Sequence, residues 1–227
     1  MKKNNIKNRK LLMQKYLYDN NLKKIKDNLD EAYKNIDKLW LDQLDLKNVR
    51  YNYITGDILS SFLNYKKKLN VLDVGCGYGA YPNYLNKFKN INAQGIDTSK
   101  YVINVGKRKF KFKNIDYGNI NNLTKKFDIK FDVITIIGVF WFMFENFKKC
   151  YQNLKMITKK NCIIYFQINI PKDNNIFEKK IKNYSDLYNF LNKFFIISDY
   201  IYYENKTKVN RSLINNNDSC IIKCKLR

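Results

Sequence analysis

The spacing of apolar residues along this 227-residue chain changes near residue 70. Between residues 11 and 46 they recur at steps of three and four, the period of a helix with one apolar face. Residues 55–65 continue the helical pattern, with Thr55 as a candidate N-cap. Because the first ten residues are rich in Lys and Asn, we expect them to be mobile. Residues 1–65 are therefore predicted to form an N-terminal arm and a helical cap.

Short apolar runs alternate with helical stretches in the second part, residues 66–227, which is predicted to be an α/β domain. Five strands are predicted at 71–74, 91–96, 112–115, 131–137 and 162–168, and helices at 81–88, 99–109 and 146–158. Two more strands, 194–203 and 219–226, are joined by an Asn-rich loop. We expect a seven-stranded sheet whose last two strands form an antiparallel edge, with the helical cap over the carboxyl ends of the strands.

The end of the first predicted strand is the most informative part of the chain. Asp73 is followed there by Gly75, Gly77 and Gly79, three glycines at alternate positions. Glycine lets the backbone turn sharply and approach a ligand without a Cβ in the way. The turn leads into a helix N-terminus, whose free N–H groups favour an anionic group. This spacing indicates a ligand-binding loop.

A second carboxylate, Asp97, ends the second predicted strand. A carboxylate at this place can accept hydrogen bonds from both hydroxyls of a ribose. The alternative is that Asp97 only caps the helix that starts near Ser99.

The segment from Asp73 to Gly79 resembles motif I of class I S-adenosylmethionine-dependent methyltransferases, which reads acidic-x-Gly-x-Gly-x-Gly. A weaker resemblance extends from about Tyr53 to the end of the chain. It implies a Rossmann-like sheet and S-adenosylmethionine as cofactor. In that family the glycine loop wraps the methionine part of the cofactor, and the two acidic residues meet its amino group and its ribose. The residues in matching positions are Asp73, Gly75, Cys76, Gly77, Gly79, Asp97 and Thr98.

Asn119 and Ile120 occupy the place where the family often has an acidic residue beside an apolar one, next to the adenine. The amide oxygen of Asn119 can accept the same hydrogen bond from the adenine amino group. The alternative is an ordinary loop asparagine in an Asn-rich chain.

A nicotinamide cofactor is the competing interpretation of the glycine loop, because Gly75, Gly77 and Ala80 satisfy the looser dinucleotide-binding pattern. Asp73 argues against it. A carboxylate two residues before the first glycine would attract an ammonium group and repel a pyrophosphate. The antiparallel pair at the end of the chain also resembles the methyltransferase sheet.

The segment after the fourth predicted strand should lie beside the transferred methyl group. It lacks the Asn/Asp-Pro-Pro-aromatic motif, the Pro-Cys pair and the paired glutamates of several macromolecule-methylating families. These absences favour O- or N-methylation of a small molecule, for example a sugar or a surface-glycan precursor. Trp141, with its neighbours Phe140 and Phe142, could line the acceptor pocket or simply pack at a helix start. The chain has no histidine, so the candidates for a general base are Glu145, Asp132 and a tyrosine.

The formal net charge of +23 favours a second hypothesis, an RNA base or ribose methyltransferase. The same charge also fits a bias toward A/T-rich codons, which favour Lys, Asn and Ile. A third hypothesis, from a different class, is a cofactor-binding subunit without catalytic activity.

The five cysteines show no paired C-x-x-C spacing, and no histidine is present to help them bind a metal. We expect no metal site, and reduced, mostly buried thiols in a cytoplasmic protein. The longest apolar stretch, residues 133–144, is too short to span a membrane, and no secretory signal is evident.

Overall fold

The computed structural model describes residues 11–12, 15–17, 29–36, 39–121, 127–171, 181–204 and 217–227. Seven strands form one sheet in the order β3-β2-β1-β4-β5-β7-β6. The strands are β1 Leu69–Val74, β2 Ile91–Asp97, β3 Ile115–Tyr117, β4 Phe131–Ile137, β5 Thr158–Pro171, β6 Phe195–Glu204 and β7 Asn217–Leu226. Neighbours among β1 to β5 are parallel, whereas β7 runs antiparallel to both β5 and β6. The predicted α/β sheet with an antiparallel edge is confirmed.

The helices are α1 Leu29–Asn35, α2 Val49–Ser61, α3 Ala80–Leu85, α4 Lys100–Lys109, α5 Phe140–Met143, α6 Phe147–Ile157 and α7 Tyr184–Leu191. Short 3-10 turns span Leu41–Leu44 and Phe144–Asn146. The prediction of Thr55 as an N-cap is wrong. Helix α2 begins six residues earlier, and the Asn48 side chain caps it by accepting from the Arg50 N–H at 3.2 Å. Thr55 lies buried inside that helix, 3.2 Å from the Tyr81 hydroxyl.

Helix α2 packs on one face of the sheet, where Tyr51, Ile54 and Ile58 meet Val71 and Tyr165. The expectation that the whole helical cap lies over the strand ends is therefore only partly right. Helix α1 and the turn Leu41–Leu44 do lie toward those ends and pack with residues of the glycine loop and of α4. Helices α5, α6 and α7 cover the other face of the sheet in a second apolar core.

Two local features differ from the sequence prediction. Strand β3 begins at Ile115, where the predicted strand ends, because Phe112 stacks on Phe110 at a centroid distance of 5.6 Å instead of joining the sheet. Helix α7, between β5 and β6, was not predicted at all. Among the described helices, none has both the length and the apolar character that a bilayer crossing requires.

Candidate cofactor and acceptor site

The glycine loop follows β1 and lies between two other segments. Gly75, Gly77 and Gly79 all have positive φ angles, of 76°, 53° and 91°. A Cβ at Gly75 would lie 2.4 Å from Val139, in the loop after β4. A Cβ at Gly77 would overlap the Gln43 side chain, in the turn that precedes α2. Both glycines are therefore required by conformation and by close packing.

Asp97, at the end of β2, holds this loop in place. Its carboxylate accepts hydrogen bonds from the Gly77 N–H at 2.9 Å and from the Ser99 N–H at 2.8 Å. Helix α4 is capped by Ser99 itself, whose Oγ accepts from the Val102 N–H at 3.1 Å. Burial raises the pKa of Asp97 to about 6. Asp97 also lines the cavity at the carboxyl ends of the strands, so one carboxylate braces the loop and faces the space for a ligand.

Asp73 lies behind the loop. It is 4% exposed, and its carboxylate accepts from the Thr135 hydroxyl at 2.7 Å. Burial raises its pKa to about 7, and the positive charge of Arg50 acts in the opposite direction. Because Asp73 is not among the residues that line the cavity, any contact with a ligand in this conformation runs through the loop or through water.

The cavity at the carboxyl ends of the strands has a volume of about 330 Å³. Five of the predicted cofactor-binding residues line one end of it: Gly75, Asp97, Thr98, Asn119 and Ile120. Two residues proposed for the acceptor side, Trp141 and Glu145, line the other end. The other predicted residues, Asp73, Cys76, Gly77 and Gly79, are not among the lining residues. The structure thus brings seven of the predicted site residues to one cavity, and their roles toward a ligand stay predictions.

The adenine end differs in detail from the expectation. The amide oxygen of Asn119 accepts from the Asn121 N–H at 2.9 Å, which forms a local turn. One lone pair of that oxygen is therefore already engaged, and the other remains for a ligand. Ile120 is buried and supplies an apolar contact beside it.

Arg50 is a cavity residue that the sequence did not reveal. Its Nη2 lies 2.7 Å from the Asp42 carboxylate, while its Nε is buried without a hydrogen-bond partner. A buried guanidinium with a free donor is suited to an anionic group of a ligand. In a chain with 43 Lys and Arg residues, sequence spacing alone did not distinguish this one.

Aromatic residues at the acceptor end have two different roles. Phe140 is buried in the core, as the packing alternative expected, whereas Trp141 and Phe142 line the cavity. The Trp141 indole N–H donates to the Asn169 carbonyl at 2.7 Å, which fixes the ring. Phe142 meets Trp40 edge to face, at a centroid distance of 6.0 Å.

The prediction of Asp132 as a candidate general base is wrong. It lies at the start of β4, at the opposite end of the sheet from the cavity. Its carboxylate accepts from the Asn70 N–H at 2.9 Å and pairs with Lys159 at 2.8 Å, so its role is structural. Glu145 is the remaining acidic candidate of the three and does line the cavity.

Comparison with known proteins agrees with this geometry. Residues 65–216 match the family model described as a methyltransferase domain. The chain therefore belongs to that family, within the class of Rossmann-like S-adenosylmethionine-dependent methyltransferases. A curated relative, the putative methyltransferase 235L of Invertebrate iridescent virus 6, is 25% identical over 134 residues, 57% of this chain. The chain spans about half of that relative, since the match covers 48% of its length.

Solved structures share the fold at low sequence identity. The N-methyltransferase NodS of Bradyrhizobium japonicum, in complex with S-adenosyl-L-homocysteine, superposes with a TM-score of 0.56 at 12% identity, over 84% of this chain and 92% of its own. An S-adenosylmethionine-dependent methyltransferase from Clostridium acetobutylicum gives a TM-score of 0.53 at 18% identity, over 81% of this chain and 96% of its own. At identities this low, the superpositions show a shared fold and nothing further.

Proposed function

We propose that the protein transfers a methyl group from S-adenosylmethionine to an oxygen or nitrogen atom of a small molecule. The observation that carries this proposal is the continuity of the cavity. One space runs from Asp97 and Asn119, which suit an adenosine, to Trp141 and Glu145 beside the end of β4. A donor and an acceptor can therefore be held side by side, which is the main requirement of methyl transfer.

The residues present fit this cofactor. Asp97 would accept from the ribose hydroxyls, Asn119 from the adenine amino group, and Ile120 would contact the ring. The backbone at Gly75 would lie along the methionine part. The free Nε of Arg50 would meet the methionine carboxylate, and Asp73 would balance the ammonium group from behind the loop. The carboxylate and the ammonium group of the methionine part then each have a partner of opposite charge.

Bound S-adenosylmethionine supplies a methyl group on a positively charged sulfur, already activated for displacement. What the chain must add is alignment of the acceptor and, where the acceptor carries a proton at neutral pH, a group that takes it. Trp141 and Phe142 would position the acceptor. Glu145 is the carboxylate placed to accept its proton.

The charges around the cavity support a small acceptor over RNA. The described residues that line the cavity include three carboxylates, Asp42, Asp97 and Glu145, against one guanidinium, Arg50, which is paired with Asp42. No lysine of this lysine-rich chain is among those lining residues. An RNA-binding groove needs the opposite balance. A sugar or a surface-glycan precursor remains our specific proposal, and the buried free thiols support a cytoplasmic location.

Calorimetric titration with S-adenosyl-L-homocysteine, S-adenosylmethionine and NAD tests the cofactor assignment. We expect both adenosylated amino acids to bind and NAD to bind far more weakly; tighter NAD binding would overturn the assignment. Incubation with methyl-labelled S-adenosylmethionine and a small-molecule extract, or with RNA, then tests transfer. Label in the small-molecule fraction supports the proposal. Label in RNA supports the alternative acceptor, and cofactor binding without any transfer supports the non-catalytic subunit.

A further inference from the structure

Asn169 lies near the carboxyl end of β5 and lines the acceptor end of the cavity. We propose that Asn169 is an acceptor-binding residue, which donates its side-chain N–H to a hydroxyl oxygen, and that the acceptor is a polyhydroxylated ring. This inference rests on the proposed function and deepens it, because it assigns the specificity of the acceptor site to one side chain.

Two hydrogen bonds fix the orientation of the Asn169 amide. Its Oδ1 accepts from the Gln167 Nε2 at 2.7 Å and from the Ser219 Oγ at 2.6 Å. Turning this amide over alone would place its NH₂ group against the Gln167 NH₂, and the Ser219 hydroxyl would have to accept a hydrogen bond instead of donating one. The Asn169 Nδ2 is therefore the atom left for a ligand, and it has no hydrogen-bond acceptor among the described residues.

The groups that hold Asn169 are deeply buried. Gln167 and Ser219 are both 0% exposed, on the neighbouring strands β5 and β7, and Tyr203 of β6 lies against both of them. The Gln167 Oε1 is buried without a hydrogen-bond partner. A polar network in the interior of a sheet is costly when it is incompletely satisfied. A role of this network in holding the Asn169 donor rigidly toward the cavity would explain why the protein keeps it.

The surroundings of Asn169 define the kind of ligand. The Trp141 indole, held by the Asn169 backbone carbonyl, offers a flat apolar surface to the C–H face of a ring. Glu145 and Asn146 line the same end of the cavity and can accept from or donate to further hydroxyls. A phosphate or carboxylate at this end would face Glu145, and Arg50, the cation among the described lining residues, is already assigned to the cofactor carboxylate. The chemistry thus fits hydroxylated rings without a negative charge.

The test measures weak binding to the protein saturated with S-adenosyl-L-homocysteine, by saturation-transfer NMR. The probes are methyl α-D-glucopyranoside and myo-inositol, with tetrahydropyran as an uncharged ring that has no hydroxyl. Asn169→Asp keeps the oxygen that accepts from Gln167 and Ser219 but loses the donor. Asn64→Asp, at an exposed loop residue, is the matched control for the added charge.

We expect a hydroxylated ring to bind in preference to tetrahydropyran, and Asn169→Asp to weaken that binding at least about tenfold. The affinity for S-adenosyl-L-homocysteine should stay within about twofold, and Asn64→Asp should change neither value. Failure of both hydroxylated probes to bind, or equal binding to Asn169→Asp, overturns the inference while the cofactor result stands. Absence of S-adenosyl-L-homocysteine binding by the unmodified protein would instead remove the proposed function, and this inference with it.

Discussion

The carboxylate of Asp97 accepts a hydrogen bond from the backbone N–H of Gly77, at 2.9 Å. The end of β2 is thereby tied to the middle of the glycine loop after β1. A residue expected to serve a ligand therefore also supports the empty protein.

This double role changes what substitution of Asp97 should do. Asp97→Ala leaves the buried N–H groups of Gly77 and Ser99 without their acceptor, so we expect the free energy of unfolding to fall by about 1–3 kcal/mol. The affinity for S-adenosylmethionine should fall roughly 30- to 150-fold as well. Asp97→Asn should do less harm to both, because it keeps one acceptor.

Urea unfolding and calorimetric titration on the same Asp97 variants measure the two effects. Asp128→Ala, at an exposed position, is a matched control expected to change neither. Loss of stability with unchanged cofactor affinity would show that Asp97 only braces the loop.

Buried carboxyl groups should make the ligand-free protein less stable as the pH rises. Burial raises the pKa of Asp73 to about 7 and that of Asp97 to about 6, from an ordinary value of 3.8. Between about pH 4 and 7 the folded chain therefore binds more protons than the unfolded chain, and the free energy of unfolding decreases with pH. Denaturant unfolding across this range measures the slope, which Asp73→Asn should reduce. An unchanged slope in that variant would contradict the assignment.

Cofactor affinity should show the opposite pH dependence. The ribose hydroxyls and the ammonium group are best served by ionised carboxylates, so binding of S-adenosylmethionine should tighten as Asp97 and Asp73 lose their protons. Titration from about pH 5.5 to 7.5 checks the direction. Affinity that is flat or falls over this range would indicate that neither carboxylate meets the ligand.

Substitution at Gly77 should disturb the segment that covers the loop. Gly77→Ala introduces a side chain at a φ of 53° and displaces the Gln43 side chain, which occupies the position of the new Cβ. The left-handed conformation alone costs about 1–2 kcal/mol. Gln43→Ala removes the side chain that the new Cβ would meet. In the Gly77→Ala background we therefore expect it to recover the steric part of the lost free energy of unfolding, but not the part due to the backbone conformation. Urea unfolding of both single variants and the double variant gives this coupling, and strictly additive effects would show no contact.

The acidic lining of the cavity predicts weak, nonspecific contact with RNA. Binding should have a dissociation constant of about 10⁻⁴–10⁻⁶ M at physiological salt and should weaken steeply as salt increases. Fluorescence anisotropy with a labelled hairpin and a scrambled strand measures both properties. Submicromolar binding that prefers one RNA structure would favour the RNA-methylating alternative.

The cysteines should be chemically inert in the folded protein. All five are buried, and burial raises the pKa of Cys150 and Cys220 to about 12. Because the thiolate is the reactive form, we expect negligible labelling by a thiol reagent near pH 8 and reaction of all five in denaturant. Rapid labelling of the native protein would contradict the described burial.

Structural features that depend on local sequence were predicted well. The mostly apolar run Phe131–Ile137 gave β4 with its observed bounds, because a strand buried on both faces is apolar at most of its positions. The alternate glycines likewise marked the loop after β1, and Gly75 and the strand-ending Asp97 both line the cavity.

Features that depend on distant contacts were missed. The position of β3 follows from Phe112 packing on Phe110, which competes with strand pairing. Arg50 becomes notable only when α2 places its guanidinium beside Asp42 in the cavity. The Asn169 network joins residues of different strands, such as Ser219 fifty positions later, and no local pattern marks such a partnership.

The position of β7 between β5 and β6 restricts the order in which the sheet can assemble. Both neighbours of β7 precede it along the chain, so residues 217–226 have to enter between β5 and β6 or dock on β5 together with β6 as an antiparallel pair. Direct pairing of β5 with β6 would close the space between them and trap a six-stranded sheet without its seventh member. The same two strands carry Gln167 and Tyr203, so the proposed acceptor site is complete only when Ser219 lies between them.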